Sequence, residues 1–100
     1  MYRNKKVIII GLGVSGRAAA HFLLQRSAAV WGVDRDRDLL LNHVELSELR
    51  QQGLHICHES EKLDVNDFDL VVVSPGVPQT HPLYTAAKQA KVDLIGEVEL

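Results

Sequence analysis

The sequence is poor in the residues that mark specialised classes of protein. Its 100 residues include one cysteine, three prolines and 5% aromatic residues, which excludes both a disulfide framework and a proline-rich extended chain. The 11 Lys and Arg residues do not outnumber the 13 Asp and Glu residues, so no basic field is present to hold nucleic acid or an anionic membrane. No apolar run approaches the roughly 20 residues that span a bilayer. We therefore expect a protein of the reducing cytoplasm with neither a nucleic-acid partner nor a membrane segment.

The composition is that of a folded globular domain. Hydrophobic residues make up 46% of the chain and charged residues 24%, and a chain of this length can bury about 65% of its surface. One domain over residues 1–100 accounts for the length. The sequence stops at Glu97 to Leu100 without a helix cap or a charged tail. We expect it to be the first part of a longer protein whose further domains follow.

The hydrophobic pattern alternates between strands and helices. Runs of β-branched residues without alternation, such as Val7–Ile10, are typical of parallel strands that are covered on both faces. The order of the elements predicts an α/β fold, a Rossmann-like open parallel sheet of about five strands with helices on both faces. The predicted strands are Val7–Ile10, Ala28–Asp34, Leu54–Cys57, Leu70–Val73 and Val92–Ile95, and the predicted helices are Val14–Leu24, Leu39–Gln52 (closed by Gly53) and a helix that starts at Pro82.

A glycine motif joins the first predicted strand to the first helix. Gly11, Gly13 and Gly16 follow the spacing G-x-G-x-x-G, in which the first glycine makes a tight turn, the second lets the backbone approach a phosphate and the third lets the helix pack closely. Free N–H groups at the helix start favour an anion. The motif predicts a diphosphate site, and the alternative is a tight turn without a ligand. The hydroxyl of Ser15 could bind the phosphate or the helix backbone.

An acidic residue ends the second predicted strand, where nucleotide-binding sheets contact the nucleoside. Asp34 follows Gly16 by 18 residues, and its carboxylate could accept a hydrogen bond from a ribose hydroxyl or from the N3–H group of uracil. Arg35 and Arg37 could stack on a base or pair with a phosphate. Their alternative role is that of solvated residues in a charged loop over residues 34–38.

A second loop is predicted at the same edge of the sheet. Ser74, Pro75, Gly76 and Val77 follow the fourth strand, at the carboxyl edge where open α/β sheets bind ligands. We expect this loop to line the same crevice as the glycine motif; the alternative is that it only makes a turn.

Chemistry-bearing clusters are absent from the sequence. His55, Cys57 and His58 have no fourth ligand and point to opposite faces of a strand, so no metal site is predicted. No activated nucleophile and no G-x-x-x-x-G-K-[ST] loop is present. The chain is predicted to bind a nucleotide without catalysing a reaction on it, and to bind no cofactor of its own.

Four motifs in this order resemble the N-terminal domain of the Mur ligases, and the resemblance covers the whole chain. They are Val7–Ala18, Asp34, Val73–Val77 with His81-Pro82, and Gly96–Leu100. The resemblance implies a monomeric bacterial enzyme of peptidoglycan synthesis. It implies that this enzyme joins D-glutamate to UDP-N-acetylmuramoyl-L-alanine through an acyl phosphate, with ATP and Mg²⁺. This chain would hold the UDP group, a central domain would bind ATP, and a C-terminal domain would bind the amino acid.

The same resemblance implies roles for individual residues. Val14 and Ser15 would contact the diphosphate, Asp34 would contact uracil, and residues 74–77 would line the uridine and sugar pocket. The family often has an arginine two residues after the acid, whereas here Asp36 is flanked by Arg35 and Arg37, so either arginine could take the stacking role. Two other functions are considered: the NAD-binding domain of a dehydrogenase, and a nucleotide-sensing module of a transporter or channel.

Overall fold

The chain folds into a parallel sheet between two layers of helices. The computed structural model describes residues 2–97 and 100; of the predicted C-terminal motif, Val98 and Glu99 lie outside the described residues. The strands are β1 (Lys6–Ile10), β2 (Ala29–Asp34), β3 (His55–His58), β4 (Leu70–Val73) and β5 (Asp93–Gly96), and the helices are α1 (Val14–Gln25), α2 (Arg37–Asn42), α3 (Val44–Gln51) and α4 (Pro82–Ala90), with a 3-10 turn at Val65–Asp67.

The sheet has the order β3-β2-β1-β4-β5, and each pair of neighbouring strands is parallel. Alternate residues of the central strands enter different cores, because successive side chains of a strand point to opposite faces. Ile9 packs with the apolar residues of α1, α2 and α3, whereas Ile8 packs with those of α4 and the 3-10 turn. The predicted α/β class, with helices on both faces of a five-stranded parallel sheet, is confirmed.

Gly53 ends α3 as predicted. Its φ of +115° lies in the left-handed region, and its N–H group donates to the carbonyl of Arg50 at 3.0 Å. The next N–H group, that of Leu54, donates to the carbonyl of Leu49 at 3.0 Å. This pair of bonds is the Schellman arrangement, which satisfies carbonyl groups at the helix end.

The prediction of one helix over Leu39–Gln52 is wrong, because two helices occupy this segment. His43 separates α2 from α3 with an extended backbone (φ −77°, ψ 125°). The start was also misplaced: the carboxylate of Asp36 accepts a hydrogen bond from Leu39 N–H at 3.1 Å and caps α2. Arg37 therefore belongs to a helix and not to a charged loop.

The strand order reverses beside β1, and this reversal sets the place of the candidate site. From β1 the chain builds β2 and β3 to one side and β4 and β5 to the other. Crossovers on opposite faces leave a crevice at the carboxyl ends of the strands where the order switches. Within residues 2–97, no helix has the length and apolar character needed to cross a membrane.

Candidate functional site

A cleft of about 390 Å³ opens at the carboxyl ends of β1 and β2. The ends of the strands supply an apolar floor, the β4–α4 segment supplies one wall, and polar side chains from the β2 and β3 ends supply the other. The lining residues are Ile10, Gly11, Val33, Asp34, Arg35, Glu59, Gly76, Val77, Pro78, Thr80, His81 and Pro82. The cleft thus lies where the glycine motif, Asp34 and the second loop were predicted to meet.

The first glycine of the motif is fixed by one bond to β2 and one to the residue that follows β4. Gly11 has a φ of +94°, which a residue with a side chain adopts only with strain. Its N–H group donates to the carbonyl of Val33 at 2.8 Å, and its own carbonyl accepts from the Ser74 hydroxyl at 3.0 Å. Ser74 is buried. This residue therefore holds the glycine loop and does not face the cleft.

Leu12 is held by charged side chains on both of its backbone groups. Its N–H donates to Asp34 Oδ2 at 2.8 Å, and its carbonyl accepts from Arg17 Nη1 at 3.0 Å. Arg17 also donates from Nε to Glu45 Oε1 at 2.8 Å. The guanidinium therefore joins the glycine loop to α3, a role that sequence reasoning did not assign to it.

The second and third glycines have different surroundings. A Cβ atom at Gly13 would meet nothing within 4 Å, whereas one at Gly16 would collide with the carbonyl oxygen of Gly11. Gly16 thus permits the close packing of α1 against the loop, and Gly13 leaves its surface open. The N–H groups of Val14 and Ser15 have no acceptor among the described residues. Such groups give the start of a helix a partial positive charge that attracts anions.

Asp34 supports the loop as well as lining the cleft. Its Oδ2 accepts from Leu12 N–H, and its Oδ1 accepts from Asp36 N–H at 2.9 Å. Each carboxylate oxygen has a second acceptor position. Asp34 can therefore fix the backbone and still accept a hydrogen bond from a ligand.

The two candidate arginines face different clefts. Arg35 lines the main cleft, whereas Arg37 lines a separate cleft of about 170 Å³ together with Arg50 and Glu61. Helix α2 starts at Arg37, and this start turns the side chain away from the β2 end. Only Arg35 is therefore placed beside Asp34 and the main cleft.

Five of the twelve predicted site residues line the main cleft: Gly11, Asp34, Arg35, Gly76 and Val77. Ser74 and Pro75 line a neighbouring cleft of about 310 Å³ that also contains Tyr84. The others, Gly13, Val14, Ser15 and Gly16 at the start of α1 and Arg37 in α2, lie outside these two linings. Val14 is 78% exposed, and because its side chain has no hydrogen-bond donor, only its backbone N–H group could contribute to a phosphate site.

Sequence reasoning missed the polar pair that closes the far side of the cleft. The ring of His81 places Nε2 3.1 Å from Glu59 Oε1, and its Nδ1 accepts from Leu83 N–H at 3.1 Å. The second contact caps α4, and His followed by Pro at a helix start was the available signal. No signal in the sequence pointed to Glu59.

The sequence of the chain matches a known protein family and known relatives. Residues 5–96 match the family described as Mur ligase MurD-like, N-terminal domain. The chain is 52% identical over 99 residues to the UDP-N-acetylmuramoylalanine–D-glutamate ligase of Protochlamydia amoebophila, and 40% identical over 99 residues to that of Trichlorobacter lovleyi. These alignments cover 99% and 98% of this chain but 22% of each relative. The chain thus spans about a fifth of their length.

A solved structure shows the same fold. The UDP-N-acetylmuramate-alanine ligase MurC of Thermotoga maritima aligns with a TM-score of 0.74 and 21% identity, over 96% of this chain and 21% of that one. Rossmann-like domains serve many functions, so the fold alone does not separate a ligase from a dehydrogenase. The sequence match does separate them, and the dehydrogenase and sensing-module alternatives are not favoured. The chain belongs to the Mur ligase family, as a MurD-like N-terminal domain.

Proposed function

We propose that this chain is the domain that binds the UDP group of UDP-N-acetylmuramoyl-L-alanine in a ligase that adds D-glutamate to this substrate. The proposal is based on the presence of two features at the same edge of the sheet. At the start of α1, beside Gly13, the N–H groups of Val14 and Ser15 have no acceptor among the described residues, and a cleft at the same sheet edge is lined by the carboxylate of Asp34. A diphosphate at the first feature would direct its nucleoside towards the second.

The start of α1 suits the diphosphate. Val14 and Ser15 would donate backbone N–H groups, and the Ser15 hydroxyl could add a further hydrogen bond. Gly13 leaves room for a phosphate because no side chain projects there. The bonds from Asp34 and Arg17 to Leu12 fix the loop before the ligand arrives. A loop that is ordered in advance loses less entropy when the ligand binds.

The main cleft suits the nucleoside. Asp34 would accept a hydrogen bond from uracil or ribose, and Arg35 would stack on the base or pair with a phosphate. Gly76 and Val77 would cover the opposite side of the ring. Ser74 would act indirectly, through its bond to Gly11, and Pro75 through the course of the backbone.

The ligation itself would need parts that this sequence lacks. Phosphoryl transfer from ATP requires N–H groups and a lysine around the phosphates and a side chain that holds Mg²⁺, but Gly16 is followed here by Arg17-Ala18. We propose that further domains of the full protein bind ATP, Mg²⁺ and D-glutamate. The acyl phosphate would form where those domains meet this cleft. We further propose a monomer that acts in the cytoplasm.

The binding proposal is tested by calorimetric titration of the chain with UDP, UMP and NAD. We expect UDP to bind more tightly than NAD, and Gly13→Val to remove UDP binding while the domain stays folded. Ser47→Ala, on the exposed face of α3, is the control. Tighter binding of NAD than of UDP would reject the proposed ligand.

The proposal that this domain binds substrate while further domains carry out the reaction is tested by phosphate release from ATP in the presence of UDP-N-acetylmuramoyl-L-alanine and D-glutamate. The 100-residue chain and its natural longer form are assayed side by side. We expect turnover by the longer form alone. Turnover by the short chain would contradict its role as a binding domain.

A further inference from the structure

We propose that Glu59 is a specificity-determining residue of the nucleotide cleft, which accepts a hydrogen bond from the nucleoside, and that His81 positions it. This inference rests on the proposed function, because it assumes that a uridine nucleotide occupies the cleft. Glu59 belongs neither to the glycine motif nor to the end of β2, where Asp34 lies. The supporting observations are the position of Glu59, the state of its carboxylate and the bonds of His81.

Glu59 lies at the end of the cleft that is remote from the glycine loop. Its N–H group donates to the carbonyl of Asp34 at 3.0 Å, so it continues the pairing in which Asp34 is opposite His58. Two strand intervals separate β3 from β1, which corresponds to about 10 Å. A ligand with its diphosphate at the start of α1 would extend its nucleoside over this distance.

The carboxylate of Glu59 is held by one oxygen and leaves the other open. Oε1 lies 3.1 Å from His81 Nε2, and among the described residues this is the one ion-pair contact of the carboxylate, so that Oε2 has none. The side chain of Glu59 is 34% exposed and that of His81 is 12% exposed. Glu59 therefore presents a fixed acceptor to the cleft.

His81 is itself fixed by the backbone of α4. Its Nδ1 accepts from Leu83 N–H, which assigns the ring proton to Nε2, the atom that faces Glu59. The segment between β4 and α4 thereby crosses the cleft and joins the end of β3. A ligand in the cleft would lie between the ends of β1, β2 and β3 on one side and the β4–α4 segment on the other.

The charges at this end of the cleft select the chemistry of the ligand. The carboxylates of Asp34 and Glu59 are acceptors only, and among the described residues of the lining Arg35 is the only arginine or lysine. Such an end favours an N–H or O–H donor and disfavours a second phosphate on the ribose. The donor would be either the N3–H group of the base or a ribose hydroxyl, and the two can be separated by analogues.

The test uses Glu59→Gln, which keeps the shape of the side chain and removes its charge. Calorimetry is performed with UDP, with inorganic diphosphate, with 2′-deoxy-UDP and with N3-methyl-UDP. We expect the variant to bind UDP about tenfold more weakly, the change that corresponds to about 1.4 kcal/mol, and to bind diphosphate as well as the parent does. The analogue that lacks the donor read by Glu59 should be insensitive to the substitution.

Two further variants separate this role from a structural one. Glu48→Gln removes the same charge from an exposed position on α3 and should leave all affinities unchanged. His81→Asn keeps a side-chain acceptor to cap α4 but is too short to hold Glu59, and it should weaken UDP binding several-fold without affecting diphosphate.

The outcomes distinguish this inference from the proposed function. If the parent binds no UDP, the proposed function fails. If the parent binds UDP and Glu59→Gln binds it equally well, Glu59 does not read the nucleoside and the inference alone fails. Equal losses for UDP and diphosphate would also overturn it, because they would show that Glu59 acts on the fold of the loop.

Discussion

The hydroxyl of Ser74 donates a hydrogen bond to the carbonyl of Gly11 at 3.0 Å, across 63 positions of the sequence. Gly11 starts the glycine loop after β1, and Ser74 follows β4, the neighbouring strand. The bond therefore locks the two segments that flank the point where the strand order reverses. If a phosphate binds at the start of α1, as proposed above, Ser74 would contribute to binding by holding this loop, without facing the main cleft.

Ser74→Ala is expected to lower the free energy of unfolding by about 1–3 kcal/mol, because the carbonyl of Gly11 would lose a part-buried hydrogen-bond partner. Urea denaturation followed by circular dichroism measures the change. Ser47→Ala, on the exposed side of α3, should change stability by less than about 0.5 kcal/mol. Equal effects of the two substitutions would show that the bond to Gly11 does not stabilise the domain.

The second and third glycines of the motif are expected to respond differently to substitution. Gly16→Ala should cost at least about 3 kcal/mol or prevent folding, because its Cβ would collide with the carbonyl of Gly11. Gly13→Val should change stability by no more than about 1 kcal/mol, because its side chain meets open space. The melting temperatures of both variants test this.

The same pair of variants separates folding from binding. Folded Gly13→Val should fail to bind UDP, since its side chain would occupy the space beside the N–H groups of Val14 and Ser15, where we propose that the phosphate binds. A stable Gly16→Ala variant, or a Gly13→Val variant with parental affinity, would contradict the roles assigned to these glycines.

The sequence was sufficient to predict those features that depend on local physical chemistry. Continuous apolar runs such as Val7–Ile10 mark buried parallel strands, because both faces of such a strand lie in a core. Gly53 marked a helix end because a left-handed residue is required there. The motif from Gly11 to Gly16 was informative because it lay between a buried strand and a helix.

Features set by competition between local signals were predicted less well. His43 separates two helices although neither glycine nor proline lies beside it, and the apolar pattern continued across it. Asp36 was assigned to a solvated loop because of its charged neighbours, but its carboxylate caps α2. An aspartate three residues before a leucine-rich run was a cap signal that the density of charge obscured.

The contact between Glu59 and His81 could not be predicted from spacing. It depends on the β4–α4 segment crossing the ends of β1 and β2 to reach the end of β3, which is a property of the tertiary fold. The separate placement of Arg35 and Arg37 has a similar origin. It follows from the residue at which α2 begins, and sequence-based boundaries are the least certain part of a prediction.

Asp34→Asn is expected to weaken both the domain and its binding of UDP. The carboxylate accepts N–H groups of Leu12 and Asp36 on different oxygens, whereas an amide would turn an NH₂ group towards one of them. The loss should be about 1–3 kcal/mol of unfolding free energy without ligand. Asp93→Asn, at an exposed position of β5, is the charge-matched control. An unchanged urea midpoint for Asp34→Asn would show that these two bonds do not hold the loop.

Cys57 is expected to react slowly with iodoacetamide in the folded domain. Burial raises the pKa of its thiol, and the negative charge of Glu61 raises this pKa further. Because the thiolate is the reactive species, the raised pKa leaves less of it at pH 7 than a free cysteine has. The alkylation rate should increase as the pH is raised beyond the ordinary cysteine range, and Glu61→Gln should increase it at neutral pH by removing one of the two causes. Mass spectrometry over time measures these rates, with Glu48→Gln as the control for charge and urea-unfolded protein as the reference for full reactivity. If the folded parent reacts as fast as the unfolded chain at pH 7, burial and the charge of Glu61 do not lower the reactivity of the thiol.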